Sequence, residues 1–360
     1  MEVVALLSSG RKSMGLMMGV VFWLLPLVFG ASVLLSWGLR CYALRSDLID
    51  IPNARSSHMV PTPRGGGVAI VISVLVALPV IAWLGLIPLS ATLGLWGAGC
   101  GVAMVGFLDD HGHIPARWRL LGHFLAAAWV LYWLGGLPPL ELFGSTVNFG
   151  WWGHLLAAIW LVWHLNLYNF MDGIDGIASV QAVTVCLGAA AVYASVGFAD
   201  ATLVPVLLAA AVAGFLVWNW PPARIFMGDA GSGFLGVTIG ALSIHAGWLA
   251  PQLLWCWLIL LGIFIVDATW TLMQRLLRGV RVYEAHRSHG YQIASRRLGS
   301  HRPVTLGVLA VNILWLLPMG MAVGLQWLDG VVGLVIAYAP LVWVVAWLKA
   351  GQPEKSAVQE

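Results

Sequence analysis

Long apolar runs constrain the fold of this chain more than any other feature. Eleven such runs lie between residues 19 and 348, and a helical membrane span needs about 20 apolar residues. Only 9% of the 360 residues are charged, whereas soluble domains carry about 25%. A transmembrane barrel is disfavoured, because its strands would read as alternating segments of about 10 residues. The sequence therefore predicts an all-α, polytopic transmembrane helix bundle.

The predicted bundle has eleven spans, or ten if one run does not cross. The predicted spans are 19–39, 67–87, 90–107, 119–137, 151–167, 178–198, 201–218, 232–248, 251–273, 303–325 and 331–348. We expect an N-terminal extension over 1–18, one integral-membrane domain over 19–348 and a C-terminal tail over 349–360. The four cysteines form no C-x-x-C pair, so neither a disulfide framework nor a zinc site is expected.

The basic residues are distributed unevenly between two sets of loops. The loops after odd-numbered spans hold 14 of the 18 Lys and Arg residues, and the loops after even-numbered spans hold none. The positive-inside rule therefore assigns the first set, and the C-terminal tail, to the cytoplasm. These loops also carry nearly all the polar motifs. We expect a cytoplasmic active-site cleft rather than a transport path, which would need polar groups at the membrane midplane.

An acidic pair, Asp109 and Asp110, stands where the third apolar run ends. A charged side chain costs about 2.5–3.5 kcal/mol when it is drawn toward the bilayer centre. The two carboxylates also repel each other, so we expect a cationic partner beside them. A catalytic role is favoured for this pair, and a simple polar helix end is the alternative.

The first cytoplasmic loop ends in Pro-Thr-Pro-Arg64 followed by three glycines, directly before the second span. Glycines before a helix leave backbone N–H groups open to an anion, and the helix N-terminus favours negative charge. Arg64 and His58 add cationic donors to this loop. The motif predicts a phosphate contact, with a turn or close helix packing as the alternative.

The third cytoplasmic loop carries amide and carboxylate side chains at a spacing of three. Asn169, Asp172 and Asp175 would share one face if this segment is helical. Such a ladder suits a hard cation or the edge of a nucleobase. A turn is the alternative, because Asp-Gly pairs are common in turns.

The remaining polar motifs lie in the fourth and fifth loops. Asp229 stands in Met-Gly-Asp-Ala-Gly-Ser-Gly, where ligands can approach its carboxylate closely. The fifth loop reads Glu-Ala-His286-Arg-Ser-His289-Gly-Tyr-Gln, without a Cys or a third His nearby. Contacts to a phosphate or a sugar are therefore favoured over zinc binding for the two histidines. Asp267 lies deep in a span, where pairing with a neighbouring helix is favoured over direct catalysis.

In combination, these motifs resemble the polyprenyl-phosphate N-acetylhexosamine-1-phosphate transferase superfamily, of the glycosyltransferase family 4 type. The resemblance covers all five cytoplasmic loops in family order, through segments 61–67, 109–110, 169–176, 226–232 and 286–289. The combination is highly specific, although each part alone is not. It implies a multi-pass protein of the bacterial inner (plasma) membrane with its active site facing the cytoplasm.

The resemblance also implies roles for individual residues. Asp109 and Asp110 match the family's catalytic acidic pair near the acceptor phosphate, and Asp229 and Asp172 match metal-binding positions. The expected substrate-binding residues lie in three loops: Asn169, Asp175, His286, Arg287, His289, Arg64 and His58. Mg²⁺ is the expected cofactor, since it takes oxygen ligands from one or two carboxylates and shares substrate phosphates, and Mn²⁺ can substitute.

The implied reaction moves an N-acetylhexosamine-1-phosphate from a UDP-sugar to undecaprenyl phosphate and releases UMP. Two departures from the family pattern refine this expectation. Arg117 and Arg119 follow the acidic pair where Lys is frequent, and the two histidines are not adjacent. The second departure favours the subgroup that initiates O-antigen synthesis, with FucNAc, QuiNAc or GlcNAc as the sugar.

Several alternatives stay open at this point. A phospho-N-acetylmuramoyl-pentapeptide transferase shares the chemistry, and a lipid-linked-sugar transporter would share the membrane bundle. Direct attack by the lipid phosphate is favoured over a covalent intermediate on Asp109, because a phosphate monoester has a second pKa of about 6. No nucleic-acid partner is expected, and a homodimer in the lipid bilayer is compatible with the sequence.

Overall fold

The computed structural model describes residues 2–52, 57–112, 114–280 and 286–353, with the backbone alone for 2–18, 20 and 21. The α-helices in chain order are α1 (Glu2–Arg45), α2 (Val68–Trp83), α3 (Leu89–His111), α4 (Ala116–Leu134), α5 (Gly150–Phe170), α6 (Ile177–Ser195), α7 (Leu203–Asn219), α8 (Asp229–Leu249), α9 (Pro251–Leu260), α10 (Gly262–Leu277), α11 (Gly290–Leu298), α12 (His301–Val311), α13 (Leu317–Gly324) and α14 (Gly330–Trp347).

Shorter elements complete the chain. A 3-10 turn (Ala199–Thr202) leads into α7, and a π-helical turn (Asn312–Leu316) joins α12 to α13. Two antiparallel strand pairs lie in loops. In the first, β1 (Ile49–Asp50) pairs with β2 (Thr62–Pro63), and Ile49 lies opposite Pro63. In the second, β3 (Leu140–Leu142) pairs with β4 (Ser145–Val147), and Leu140 lies opposite Val147.

The helices agree with the predicted membrane bundle. Every predicted span coincides with one helix or with two consecutive helices. In the described part of the chain, seven helices are long and apolar enough to cross a membrane, and α9 with α10, bent by 69°, can form an eighth span. The α2 helix is shorter, and α4 and α5 do not meet the same test. The protein is therefore an all-α, multi-pass membrane protein, and the count of ten or eleven spans stays a prediction.

Helix α8 lies at the centre of the bundle, with 83% of its most apolar window buried. Small residues let its neighbours approach at backbone distance. A Cβ atom on Gly236 would lie 2.6 Å from the Cα atom of Leu165 in α5. Close backbone approach of this kind is how membrane helices gain packing energy. As a result, the end of α5 and the start of α8 meet at one end of the bundle.

At the break between α9 and α10, polar side chains supply hydrogen-bond partners. The Gln181 side chain in α6 donates to the Leu260 carbonyl at 3.3 Å. The Asn312 side chain, in the π-helical turn, donates to Gln181 at 2.8 Å and to Thr184 at 2.6 Å. A backbone carbonyl freed in a membrane interior needs such a partner. This network stabilises the bend that directs α10, and with it Asp267, toward the functional end of the bundle.

Candidate active site

The five polar loops gather around one cleft with a volume of about 410 Å³. Its described lining comes from the β1–β2 connection, the end of α3, the α5–α6 and α7–α8 connections, α11 and the start of α12. The predicted site residues in this lining are His58, Arg64, Asp110, Asn169, Asp172, Asp175 and Asp229. The other four, Asp109, His286, Arg287 and His289, lie outside its described lining.

Asp110 holds the beginning of α8. Its carboxylate accepts the backbone N–H groups of Asp229 at 3.2 Å and of Ala230 at 3.3 Å. The side chain is buried, with 3% exposed. Gly228 precedes the helix with a φ of +76°, and a Cβ atom there would lie 2.6 Å from Asp110 Oδ2. Asp110 therefore acts as an N-terminal cap that fixes the position of Asp229.

Asp109 has the cationic partner that the sequence led us to expect, and this partner is Arg119. Asp109 Oδ2 forms an ion pair with the Arg119 guanidinium, and Oδ1 accepts the Ile114 N–H at 2.8 Å. Arg119 also lies 3.5 Å from Asp229 Oδ2. The Asp109 side chain is 7% exposed and that of Asp229 is 37% exposed. Asp229 is thus the more accessible of these two carboxylates.

The end of α5 brings an amide next to Asp229. The Asn169 side chain donates to Asp229 Oδ1 at 2.9 Å and to Ser232 Oγ at 3.0 Å. Because α5 ends at Phe170, Asp172 and Asp175 lie in a turn before α6. The expectation of a helical ladder through Asp175 is therefore wrong, and the turn alternative is correct.

A contact with α11 shapes this turn. The Tyr291 hydroxyl donates to the Phe170 carbonyl at 2.8 Å. A Cβ atom at Gly173 would lie 2.2 Å from the same hydroxyl oxygen, so only glycine fits there. The Asp-Gly sequence therefore serves the close approach of the turn and α11.

Burial and neighbouring negative charge affect Asp172 in the cleft most clearly. Burial, assisted by the charges of Asp229, Asp110 and Asp175, raises the pKa of Asp172 well above its usual range. In the described lining, five carboxylates accompany a single arginine, Arg64. A divalent cation would compensate this excess of negative charge.

The donor set also fits Mg²⁺ chemically. In the described part of the chain, no three His, Cys, Asp or Glu side chains group into a complete metal site. Mg²⁺ is usually held by one or two carboxylates together with substrate phosphates and water, so a complete protein cage is not required. Asp172 and Asp229, both in the cleft lining, are compatible with that arrangement.

Asp175 pairs with His301, a histidine outside the predicted motifs. Asp175 Oδ1 lies 3.1 Å from His301 Nδ1, and Oδ2 accepts the Ala223 N–H at 3.0 Å. His301 Nε2 lies 3.0 Å from the Ser57 carbonyl oxygen. This histidine joins α12 to the first and third loops. Its position at the start of a predicted apolar span was the only signal in the sequence.

The first loop contacts the fourth loop through its backbone. Gly66 and Gly67 donate their N–H groups to the carbonyls of Phe226 and Met227 at 2.9 and 2.8 Å. A Cβ atom on Gly67 would lie 2.4 Å from the Gly231 Cα atom. The expectation that these two N–H groups are open to a phosphate is therefore wrong, and close packing explains the glycines.

Arg64 and His58, the two predicted site residues of the first loop, line the cleft. The Arg64 guanidinium donates to the backbone carbonyl of Asp110, next to the acidic pair. The His58 ring packs against Phe226 with centroids 4.9 Å apart, and its Nε2 atom lies 4.0 Å from Asp50 Oδ1. Both side chains therefore stay candidates for contacts with substrate.

The histidine loop (residues 286–289) is held beside the cleft by Asp267. His289 is 1% exposed, and its Nδ1 atom lies 3.3 Å from Asp267 Oδ1. Asp267 also accepts the N–H groups of Gly290 and Tyr291, each at 2.9 Å. The predicted pairing of Asp267 with a neighbouring helix is thus confirmed, the partner being α11.

The other two predicted residues of this loop, His286 and Arg287, lie in different environments. The His286 ring stacks on His289 with centroids 4.8 Å apart, and burial lowers the pKa of His286 to about 3. Arg287 lines a separate cavity of about 330 Å³, together with Arg275 and Arg278. His286 is therefore a neutral imidazole at physiological pH, while Arg287 stands apart from the cleft.

A third cavity, of about 220 Å³, adjoins the carboxylates between α3, α4, α5 and α8. Apolar side chains form much of its lining: Val102, Val105, Leu120, Leu165 and Phe170. Arg119, His123, Asn166, Asn169 and Asp229 supply its polar groups. The arrangement can accept an apolar chain that carries an anionic head group.

Comparison with known proteins gives a consistent result. The profile of glycosyl transferase family 4 matches residues 92–247. The chain is 34% identical over 239 residues to phospho-N-acetylmuramoyl-pentapeptide-transferase of Moorella thermoacetica, which covers 61% of this chain and 74% of that protein. It is 28% identical over 279 residues to the probable undecaprenyl-phosphate N-acetylglucosaminyl 1-phosphate transferase of Bacillus subtilis, covering 76% of each chain.

A mycobacterial relative extends the same pattern. The chain is 31% identical over 231 residues to decaprenyl-phosphate N-acetylglucosaminephosphotransferase of Mycolicibacterium smegmatis, covering 58% of this chain and 55% of that protein. The matched family segment begins in α3 and ends in α8, so it includes the acidic pair, Asn169, Asp172 and Asp229.

Proposed function

The chain belongs to glycosyl transferase family 4, within the polyprenyl-phosphate hexosamine-1-phosphate transferase superfamily, and from this membership we propose its donor, acceptor and mechanism. As a member it is a membrane-bound phosphotransferase that moves a sugar 1-phosphate to a polyprenyl phosphate. We propose that the donor is a UDP-N-acetylhexosamine and the acceptor undecaprenyl phosphate, with UMP as the leaving group. The observation that carries this proposal is the convergence of Asp110, Asp172, Asp175 and Asp229 with Asn169 on one cleft.

The 220 Å³ cavity suits the acceptor in this scheme. Its apolar lining would hold the first isoprene units, while Arg119 stands where the phosphate would meet Asp109 and Asp229. An arginine fits this task because its guanidinium presents several donors to phosphate oxygens. The donor diphosphate would enter from the 410 Å³ cleft on the other side of Asp229.

Mg²⁺ is the proposed cofactor, with Asp229 and Asp172 as its protein ligands. When bound, it would neutralise the diphosphate and polarise the phosphorus under attack. The protein groups around it have positioning tasks. Asp110 fixes the backbone of Asp229, and Asn169 donates to the Asp229 carboxylate at 2.9 Å.

The reaction proceeds by direct attack of the acceptor phosphate. An acceptor oxygen forms a bond to the phosphorus that carries the sugar, and the bond from that phosphorus to the bridging oxygen breaks, releasing UMP. With a second pKa of about 6, the acceptor is mostly an unprotonated nucleophile at pH 7. Asp109, already paired with Arg119 and the Ile114 N–H, would orient the acceptor rather than attack the phosphorus.

For the sugar we propose a 6-deoxy-N-acetylhexosamine such as FucNAc or QuiNAc, or GlcNAc. The spaced histidines of the fifth loop favour the subgroup that initiates O-antigen and other cell-surface polysaccharides. The named relatives use different acceptors and sugars, and one is a phospho-N-acetylmuramoyl-pentapeptide-transferase. UDP-N-acetylmuramoyl-pentapeptide is therefore the second donor to test.

The proposed location is the bacterial inner membrane, with the cleft on the cytoplasmic side. Lys and Arg are concentrated in the loops that build the cleft, which is the distribution of cytoplasmic loops. Nucleotide-activated sugars would then reach the donor side directly from the cytoplasm.

The test is UMP release by purified protein with undecaprenyl phosphate and a panel of UDP-sugars, with and without Mg²⁺. We expect release that requires both the lipid and the metal, and the best donor identifies the sugar. Preference for the muramoyl-pentapeptide donor would replace the proposed donor. Absence of release with every donor would contradict the proposed function.

A further inference from the structure

The residues that follow α14 fold into a turn instead of leaving the bundle. In this C-terminal turn (residues 348–352), Ala350 donates its N–H to Val345 at 3.0 Å, and Gln352 donates to Lys349 at 3.1 Å. Ala350 is 1% exposed and packs with Val266 of α10 and Val345 of α14. The turn is therefore part of the folded protein and is anchored on α10.

Gly351 joins this turn to the histidine loop. Its N–H donates to the Ser288 carbonyl at 2.7 Å. Its φ is +78°, and a Cβ atom there would lie 2.7 Å from both the Thr271 carbonyl oxygen and the Gln274 Cβ atom in α10. Only a glycine can therefore place this N–H against the loop while resting on the backbone of α10.

The anchored carbonyl belongs to the residue that orients His286. Ser288 Oγ lies 3.0 Å from His286 Nδ1, and the Ser288 N–H lies 3.4 Å from the same nitrogen. His286 in turn stacks on His289. A displacement of Ser288 would therefore move both imidazole rings.

The same turn of α10 also holds the residues that follow Ser288, at the C-terminal end of the histidine loop. Thr271, against which Gly351 rests, donates its hydroxyl to Asp267 Oδ1 at 3.1 Å. Asp267 accepts the N–H of Gly290 and contacts His289. Gly351 therefore contacts the loop directly at Ser288, and it also rests on the turn of α10 whose Asp267 holds His289 and Gly290.

We propose that the C-terminal turn is a positioning element of the donor site, in which Gly351 sets the histidine loop through Ser288. The inference rests on the proposed function and on the expectation from the sequence that His286 and His289 contact the substrate. It predicts that a change at Gly351 weakens the donor interaction while the acceptor interaction, on the other side of Asp229, is preserved.

The test compares Gly351→Ala with Gly85→Ala in the full-length protein. Gly85 has a similar φ of +71°, but a Cβ atom there meets nothing within 4 Å. Both variants place an alanine at a similar positive φ, but only in Gly351→Ala does the added Cβ atom collide with neighbouring atoms. We expect Gly351→Ala to raise the KM for the UDP-sugar about tenfold, with the KM for undecaprenyl phosphate and both KM values of the control within about twofold of wild type.

Hydrogen exchange supplies a readout that does not depend on activity. The amides of Gly290 and Tyr291 should exchange about tenfold faster in Gly351→Ala and at the wild-type rate in Gly85→Ala. If Gly351→Ala does not fold, Arg297→Gln replaces it. Arg297 donates to the Leu348 carbonyl at 3.3 Å and stacks over Trp347. Its loss should therefore also speed exchange of the Gly290 and Tyr291 amides, by about threefold.

The outcomes separate the two proposals. Unchanged exchange in the variant would overturn the positioning role of the turn. Faster exchange with an unchanged donor KM would show that the loop is held by the turn but is not part of the donor site. If the wild-type protein releases no UMP, the proposed function fails, and the exchange rates alone decide whether the turn holds the loop.

Discussion

The two neighbouring carboxylates of the acidic pair have different partners. Asp109 pairs with Arg119 beside the accessible carboxylate of Asp229, whereas Asp110 caps α8 from a buried position. Adjacent residues at a helix end point in different directions, so equal chemical roles for both are not expected. Substitutions at Asp109 therefore test orientation of the acceptor, and substitutions at Asp110 test capping of α8.

Asp109→Asn should lower kcat by more than about a hundredfold, because Asn cannot carry the negative charge that orders Arg119 beside the acceptor. UMP release under saturating donor and acceptor measures this. A loss below about tenfold would exclude the proposed orienting role of Asp109.

Asp110→Ala should destabilise the fold by about 0.5–2 kcal/mol, because two N–H groups at the start of α8 lose their acceptor. Asp110→Asn should recover most of that stability, since Asn is an equally good cap. Thermal unfolding in detergent compares the two variants. Equal stability of Asp110→Ala and wild type would contradict the capping role.

Arg119→Gln should raise the KM for undecaprenyl phosphate about tenfold or more, because Arg119 is the arginine in the described lining of the proposed acceptor cavity. Arg117→Gln is the matched control, since Arg117 lies on the same helix with its guanidinium over the Trp118 ring. Initial rates at varied acceptor concentration give the KM for undecaprenyl phosphate of both variants. A similar change in the two variants would argue against acceptor binding by Arg119.

At the level of elements, the bend between α9 and α10 decides where the histidine loop is held. Asp267 reaches α11 because α10 leaves α9 at 69°. The bend depends on polar partners from α6 and the π-helical turn, which satisfy the Leu260 carbonyl. Such interhelical hydrogen bonds contribute about 1–2 kcal/mol at most in membranes.

Gln181→Leu should therefore lower stability by about 1–2 kcal/mol and increase hydrogen exchange in α10, because the Leu260 carbonyl and the Asn312 amide lose a partner. Thr202→Ala is the control, since among the described residues the Thr202 hydroxyl donates only to the Ala199 carbonyl in its own turn. A stability loss no greater than that of the control would show that the bend does not need this network.

At the level of the whole molecule, the orientation of the cleft is open to a labelling experiment. In a cysteine-free background, Met59→Cys should resist a membrane-impermeant thiol reagent in intact cells, and Thr146→Cys in β4 should react. Met59 is 92% exposed and lies on the side of the cleft, whereas Thr146 lies in the β3–β4 hairpin. The opposite pattern would invert the proposed topology.

The sequence by itself determined the apolar helices, the family of the protein and the loops that build its cleft. Partition of apolar runs into lipid depends only on local composition, so all predicted spans coincide with helices. The motif residues Asp110, Asn169, Asp172 and Asp229 likewise share a cleft as their combination predicted.

Only the tertiary structure decided which polar groups meet. The Asp175–His301 pair, the capping of α8 by Asp110 and the packing of Gly67 on Gly231 join residues from separate loops. Two predictions failed for this reason: the open glycine N–H groups and the helical ladder through Asp175. Hydrogen-bond partners are set by distances between helices, and those distances follow from side-chain packing across the bundle rather than from local sequence.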